Sequence, residues 1–159
     1  MRGEEILEAA NRRKGSIQVK DEYEYLLQVS LDGECYGLSI EDVVEVIGCP
    51  KVFNIPHTPD YILGVINLRG EILAIIDIRK LLGRSVTPSN DQKHIVVVER
   101  GNVRIGILVN TANDVVRISH SAIKPSLSTA DKAGGLITGE VSMQGEVLAI
   151  LDSGVLMEL

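Results

Sequence analysis

The sequence predicts an all-β protein built from two small barrels packed against each other. Three observations lead to this fold class. The stretch from Gly70 to Asp77 returns almost unchanged from Gly145 to Asp152, 75 residues later. Short apolar runs with a period of two recur along the chain and are separated by turn signals. Long stretches with helical periodicity are nearly absent.

The repeat divides the chain into two related halves. A second pair of segments, 42–46 and 114–118, recurs at a similar spacing, which places the halves at about 22–84 and 93–159 within a single domain of residues 21–159. The polar linker 85–93 lies between them. Features that both halves share are expected to serve the fold, and features of only one half are candidates for function. Ile75 and Ile150 are equivalent, and we expect both to face the interior.

Residues 1–20 form an N-terminal extension. Glu4 and Glu5 precede Arg12 and Arg13, a charge order that suits the dipole of a short helix. Its apolar face is thin, so two interpretations remain open: a helix that docks on a partner, or a frayed polar extension.

The first half predicts a hairpin, a helical turn and a second set of strands. The Asp32-Gly33 pair is typical of a two-residue hairpin turn, and Arg69-Gly70 marks another reversal. Asp77 is suited to cap a short helix. The predicted elements are strands from Tyr25 to Leu31 and through Tyr36 and Leu38, one helical turn at 39–42, strand 43–47, a turn at 58–60, strands 64–68 and 71–77, and helix 78–82.

The second half repeats this order. The predicted elements are strands 95–99, 103–109 and 115–118, a long loop at 119–135, and a hairpin that reverses at Gln144-Gly145. Asp152 ends the repeated strand as Asp77 does. A shared capping role therefore explains this pair better than a pair of catalytic carboxylates.

Composition and charge exclude several classes of function. The 159 residues include 22 acidic and 16 basic ones, for a net charge of −6 and a pI of about 5.1, which opposes a surface that follows nucleic-acid phosphates. The apolar runs are too short for membrane insertion. Two cysteines, Cys35 and Cys49, predict neither a disulfide framework nor a zinc site. We therefore expect a cytoplasmic protein without a metal or cofactor.

Signals for catalysis are weak. His57, His94 and His120 are far apart in the sequence and lack metal-ligand spacing. Ser119-His120-Ser121 has the residue types of a nucleophile and base, but a third positioned member is not evident. A small barrel that binds or hydrolyses a ligand with the His120 loop remains the alternative hypothesis.

Two charged residues differ between the halves. Arg69 stands at a turn whose twin carries Gln144, and Glu45 corresponds to Arg117. The turn requires its glycine but not its arginine, so the guanidinium is available for recognition of a carboxylate or amide. A solvated surface charge is the competing interpretation for both positions.

The segment Tyr61–Arg79 resembles the signature of the CheW family, the coupling proteins of chemosensory arrays. It contains Gly64-Val65-Ile66-Asn67-Leu68-Arg69-Gly70 followed by Ile76-Asp77-Ile78-Arg79. Tyr36-Gly37-Leu38 and Val43-Val44-Glu45-Val46 also match family segments. The resemblance covers about residues 22–157. Ala74 departs from the usual family proline.

The resemblance implies two intertwined five-stranded SH3-like β-barrels with a few short helices. It also implies a non-enzymatic adaptor at receptor arrays on the inner face of the membrane. Such an adaptor joins the cytoplasmic tips of chemoreceptors to the regulatory domain of a CheA-type histidine kinase. The family positions associated with partner binding correspond here to Val43, Glu45, Gly64, Asn67 and Arg69.

Overall fold

The computed structural model describes residues 22–86, 93–126 and 135–159. The predictions for the N-terminal extension, most of the linker and the middle of the long loop lie outside these residues. Within them the elements are β1 (Tyr23–Leu31), β2 (Glu34–Ser39), β3 (Val43–Gly48), β4 (Ile62–Leu68), β5 (Glu71–Ile76), α1 (Ile78–Leu81), β6 (His94–Arg100), β7 (Val103–Val109), β8 (Thr111–Ser119), β9 (Ile137–Met143), β10 (Glu146–Leu151) and α2 (Ser153–Met157).

The strands form two five-stranded sheets that exchange strands between the halves. Sheet A has the order β8-β1-β2-β10-β9, and sheet B has the order β3-β6-β7-β5-β4. Strands β6 to β10 repeat β1 to β5, so replacing every strand of sheet A by its repeat equivalent produces the order of sheet B. Each sheet thus contains strands of both halves, which confirms the all-β, intertwined architecture.

Parallel pairing holds the exchanged strands together at two equivalent places. Gly37 of β2 lies opposite Ile150 of β10, and Gly106 of β7 lies opposite Ile75 of β5. A Cβ atom on Gly106 would lie 2.5 Å from the Cδ1 atom of Ile75. Glycine at this position therefore lets the parallel strands approach while the isoleucine fills the core.

Each sheet curls until its two edges meet. The segment after β3 pairs with β4 through an antiparallel bridge between Phe53 and Val65. The segment after β8 pairs with β9 through an equivalent bridge between Lys124 and Glu140. These bridges close sheet A into barrel A and sheet B into barrel B, and they cover edges that would otherwise be unpaired.

The described residues form three apolar clusters. One lies inside barrel A, one lies inside barrel B, and the largest lies between the two sheets. Central strands bury both faces: in β6, Val97 faces the interior of barrel B while Val96 and Val98 face the shared core. Ile75 and Ile150 are 0% and 6% exposed. Their predicted interior position is confirmed.

The predicted turns and caps have the expected geometry. Arg69 and Gly70 have φ angles of 51° and 86°, and their twins Gln144 and Gly145 have 50° and 83°. Two consecutive positive φ angles are typical of the type I′ turn that matches hairpin twist. Asp77 caps α1, and Asp152 accepts a hydrogen bond from the Gly154 amide at 2.8 Å to cap α2. Both capping predictions are confirmed.

Two elements differ from the prediction. Strand β8 begins at Thr111 rather than at residue 115, because its polar first residues pair with β1 across a bulge at Gln28 and Val29. Tertiary pairing outweighs low strand propensity there. The segment 39–42 is a hydrogen-bonded turn, closed by a bond from the Asp42 amide to the Ser39 carbonyl, and no α-helix forms there.

Candidate functional site

The turn between β4 and β5 presents Arg69 at its tip. The side-chain Oδ1 of Asn67 accepts a hydrogen bond from the Gly70 amide at 2.8 Å, which ties the start of the turn to its end. Asn67 and Arg69 are themselves exposed. The local sequence therefore holds the arginine in a defined position at the surface, and Asn67 acts as a support for the turn.

Arg69 and Glu45 form an ion pair with each other. The Nη2 atom of Arg69 donates to Oε1 of Glu45 on β3. The side chains are 67% and 28% exposed, respectively. The two charged residues predicted as candidate site residues thus meet where the barrel closes. Since one guanidinium nitrogen makes this bond, further donors of Arg69 face solvent and are accessible to another molecule.

The equivalent place in barrel A has different chemistry. Gln144 occupies the turn, and Asp114 of β8 takes the position of Glu45, because Asp114 pairs with Gln28 as Glu45 pairs with the equivalent residue Val97. The sequence alignment of Glu45 with Arg117 is therefore wrong. Arg117 lies three residues further along β8, where its guanidinium carbon is 4.6 Å from the centre of the Tyr23 ring in a cation–π contact. Barrel A therefore folds and closes without the ion pair, which indicates that the Glu45–Arg69 pair is not a requirement of this architecture.

Val43 opens the exposed edge strand β3. It is partly buried against the core between the sheets, while Val44 and Val46 of the same strand are 44% and 39% exposed. The Asp42 carbonyl accepts a hydrogen bond from the Glu99 amide at 2.8 Å. The strand that carries Val43 and Glu45 is therefore fixed at its first residue.

Arg100 strengthens this attachment with its side chain. Its Nη2 lies 2.8 Å from Oδ2 of Asp42, and its Nη1 lies 3.8 Å from Oδ1 of Asp152. The hydrogen bond to Asp42 is the main cause of a raised pKa of Arg100. The guanidinium links the start of β3 to the end of β10 and so joins the two barrels.

Gly64 is buried and has a structural role. Its φ is 152°, and a Cβ atom there would lie 2.4 Å from the carbonyl oxygen of Phe53. A Cβ atom on its twin Gly139 would likewise lie only 3.0 Å from the carbonyl oxygen of Lys124. Both glycines lie beside the bridges that close the barrels. A buried glycine has no side chain to offer a partner and would influence binding through the shape of the backbone. Direct contact between Gly64 and a partner remains a prediction.

An apolar patch on barrel B is absent from the sequence prediction. We define it as Phe53, Ile55 and Leu63, which are 50%, 38% and 39% exposed. Phe53 pairs with Val65, and Leu63 lies two positions from that pairing. The bridge equivalence aligns the patch with Lys124, Ser126 and Thr138, which are polar. Alignment of the two halves over this connection would have revealed the contrast.

A buried charge cluster joins the barrels at a second place. Arg79 is 3% exposed and donates to both carboxylate oxygens of Asp77 at 2.9 Å and to Oδ2 of Asp32 at 2.8 Å. Its hydrogen bonds to Asp77 are the main cause of a raised pKa of Arg79. From the sequence, Arg79 is only part of a motif, because its contact with Asp32 depends on how the barrels pack.

The residues around His120 do not form a nucleophile–base pair. The Nε2 atom of His120 lies 2.9 Å from a carboxylate oxygen of Glu24, and the hydroxyls of Ser119 and Ser121 bond to each other at 2.9 Å. Nothing in this arrangement supports hydrolysis.

The described residues contain neither a metal-binding cluster nor a membrane-spanning helix. In the ranges 22–86, 93–126 and 135–159, no group of three or more His, Cys, Asp or Glu side chains is arranged to hold a metal ion. Among the same residues, no helix has both the length and the apolar character needed to cross a bilayer.

Comparison with known proteins gives a consistent result. The sequence profile of the CheW-like domain matches residues 25–159. The chemotaxis protein CheW of Klebsiella aerogenes is 32% identical over 124 residues, covering 77% of this chain and 75% of that protein. The chemotaxis protein CheV3 of Helicobacter pylori is 35% identical over 121 residues, which are 74% of this chain but 39% of CheV3. This chain therefore corresponds to well under half of CheV3.

A solved structure shows the same architecture. The scaffolding protein TtCheW from Thermoanaerobacter tengcongensis superposes with a TM-score of 0.72 at 31% sequence identity. The superposition covers 86% of this chain and 88% of that chain.

Proposed function

The chain belongs to the CheW family of chemotaxis scaffold proteins, and on that premise we propose that it is a non-enzymatic adaptor between chemoreceptor tips and a CheA-type histidine kinase. Two surfaces of barrel B would carry the contacts. One is the edge with Glu45 and Arg69, and the other is the apolar patch of Phe53, Ile55 and Leu63. The adaptor would act in the cytoplasm, at receptor arrays on the inner face of the membrane.

The strongest support is the difference between the two halves. Barrel A performs the same folding task with Asp114 and Gln144 in place of the ion pair and with a polar surface in place of the patch. Charged pairs at an edge favour recognition and orientation of a partner, whereas exposed aromatic and aliphatic side chains favour burial. Barrel B therefore carries two kinds of contact that its own twin does without.

The rigid connection between the barrels suits an adaptor. The Arg79 and Arg100 clusters and the shared core join the barrels at several places. A stiff body can transmit the orientation of one partner to the other. Each contact on its own would be small, and many adaptors in an array would gain affinity through multivalency.

Copurification with purified partners tests the proposal. The probes are a CheA-type regulatory domain and a receptor-tip fragment, analysed separately and together by size-exclusion chromatography. Arg69→Glu reverses the charge at the edge, and Phe53→Lys copies the residue at the twin position Lys124. We expect the native protein to form both complexes and each variant to weaken at least one of them. Absence of both complexes for the native protein would contradict the proposal.

A further inference from the structure

The helices α1 and α2 hold the same place in the two halves of the chain. Each follows a repeated strand and begins at a capping aspartate. The 75-residue spacing of the repeat makes Ile78 equivalent to Ser153 and Arg79 equivalent to Gly154. Both helices pack against the core between the two sheets. They differ in what attaches them to the rest of the molecule.

Arg79 attaches α1 through its own side chain. The residue belongs to the helix, and its guanidinium donates to both carboxylate oxygens of Asp77 at 2.9 Å and to Oδ2 of Asp32 at 2.8 Å. Asp32 lies in the turn between β1 and β2 of barrel A. Detachment of α1 would therefore break three charge-assisted hydrogen bonds and leave Asp77 without its counter-charge.

No equivalent side chain attaches α2, because Gly154 stands at the position of Arg79. The guanidinium near its capping aspartate comes instead from Arg100 on β6, and a Cβ atom on Gly154 would collide with Nη1 of Arg100. Arg100 donates hydrogen bonds to Asp42, whereas its Nη1 lies 3.8 Å from Oδ1 of Asp152. Its hydrogen bonds within the described part of the chain hold β6 to the start of β3, and none of them reaches α2.

Ser153 weakens the attachment of α2 further. Its side chain is 1% exposed, and its Oγ has no hydrogen-bond partner among the described residues. Burial of an unpaired hydroxyl is unfavourable, and water would satisfy this hydroxyl if the helix opened. At the twin position, Ile78 is fully buried in the shared core. Opening would therefore relieve a cost in α2 but lose apolar contacts in α1.

The apolar contacts of the two helices also differ in number. In α1, Ile78 and Leu81 are both fully buried in the shared core, and Leu82 directly after the helix is buried as well. In α2, Leu156 is the only fully buried apolar side chain, and Met157 at the position of Leu82 is only partly buried. Fewer buried contacts make local opening of a segment less costly.

We propose that α2 is a releasable latch between the barrels, which detaches from the shared core by local opening while α1 stays docked. The open form uncovers the part of the core that Leu156 covers. The molecule thus has one fixed connection, through Arg79, and one releasable connection. The opening is a property of the chain alone. For the proposed adaptor, it means that the stiffness between two bound partners depends on α2 being closed.

Hydrogen exchange of the native full-length protein, followed by NMR at each amide, tests the inference. The Val155 amide donates to the Asp152 carbonyl at 3.2 Å, and its twin, the Lys80 amide, donates to the Asp77 carbonyl at 3.2 Å. After correction for intrinsic exchange rates, we expect the Val155 amide to exchange at least about tenfold faster, with little dependence on low concentrations of urea. Equal protection of the two amides would overturn the proposal.

Two amides at the strand ends localise the opening. The Asp152 amide donates to the Leu136 carbonyl at 2.8 Å, and the Asp77 amide donates to the Tyr61 carbonyl at 2.8 Å. We expect these two amides to be protected about equally. Fast exchange at Asp152 as well as at Val155 would show that barrel A opens as a whole, which would contradict a latch confined to α2.

Ser153→Ala tests the physical cause of the opening. The substitution removes the unpaired hydroxyl without adding bulk, so exchange at Val155 should slow by about fivefold or more while exchange at Lys80 stays unchanged. Ser142→Ala, at an exposed position of β9, is the matched control and should change neither rate. Unchanged exchange at Val155 in folded Ser153→Ala protein would contradict the proposal.

Discussion

The Nη2 atom of Arg69, at the tip of the turn between β4 and β5, donates a hydrogen bond to Oε1 of Glu45 on β3. The bond joins the two edges of sheet B where the barrel closes. It also links Glu45 to the arginine whose twin in the other half is the uncharged Gln144. A role in the fold and a role in recognition are both compatible with this contact, and they predict different consequences of substitution.

The interleaved sheets predict that neither half of the chain folds alone. Residues 22–84 by themselves would contain β1, β2, β3, β4 and β5, which belong to two different sheets and lack their central partners. We expect separately expressed halves to be unfolded or aggregated by circular dichroism, and the intact protein to unfold in one transition. A soluble isolated half with its own cooperative transition would show that the exchange is dispensable.

Gly64→Ala should destabilise the protein by roughly 1–3 kcal/mol, because the new Cβ would collide with the carbonyl of Phe53 and the φ angle disfavours other residues. Urea unfolding measures the effect. Gly48→Ala is the matched control, since a Cβ there meets no atom within 4 Å. Equal stability of both variants would mean that barrel closure tolerates a side chain at residue 64.

Arg79→Met should cost roughly 3–5 kcal/mol, because it leaves the Asp77 carboxylate buried without its counter-charge. Arg100→Met, at the other connection between the barrels, should cost less, roughly 1–3 kcal/mol, because it leaves the buried Asp42 carboxylate without its partner but at a place that water reaches, since Arg100 is 53% exposed. Thermal or urea unfolding of the two variants provides the comparison. A larger loss at Arg100 than at Arg79 would contradict the role assigned to burial.

Much of the secondary structure could be predicted from the sequence, because its signals are local. The turn at Arg69-Gly70 and the caps at Asp77 and Asp152 depend on residues close in the chain. The contact between Arg79 and Asp32 could not be predicted in this way. It spans the interface between two sheets whose strand order depends on tertiary packing.

The candidate site could also be predicted only in part. The repeat correctly identified Arg69, whose twin is Gln144, but it aligned Glu45 with Arg117 although the strand register places the acidic Asp114 there. The contact between Glu45 and Arg69 requires closure of the barrel. The exposed patch around Phe53 was missed because it lies in a connection outside the two most similar segments. Gly64 matched the family motif, and the structure adds a steric reason for glycine that Gly139 shares.

Because of Tyr36, we expect the free energy of unfolding to fall at alkaline pH. Burial, followed by the negative charge of Asp32, raises the pKa of its hydroxyl from 10.0 to about 12. The folded state therefore holds the proton more tightly than the unfolded state does. This contribution is complete below about pH 10 and is lost as the pH rises toward 12, by roughly 2 kcal/mol.

Tyr36→Phe isolates that contribution. The free energy of unfolding of the native protein should fall between about pH 9 and pH 11 by more than that of the variant. Other groups titrate in both proteins, so the difference between the two slopes is the measured quantity. Identical slopes would show that the hydroxyl of Tyr36 does not titrate differently on folding.

The most direct test of the account is partner binding by charge-reversed protein that remains folded. Arg69→Glu and Glu45→Lys should change the free energy of unfolding by under about 1 kcal/mol, as is usual for an exposed ion pair. Each should weaken binding to the receptor tip or the kinase regulatory domain by about 2–5 kcal/mol, the usual cost of losing one partner of a desolvated charge pair. The double variant restores an ion pair with the two charges exchanged. It therefore shows whether binding requires the ion pair itself or a particular charge at each position.

Isothermal titration calorimetry of these variants against both partners is the decisive measurement, with Gln144→Glu at the twin turn as the control. The account predicts weaker binding by Arg69→Glu than by Gln144→Glu, at nearly unchanged stability of both. If folded Arg69→Glu binds both receptor and kinase as tightly as the native protein does, Arg69 is a solvated surface charge and the central claim is wrong.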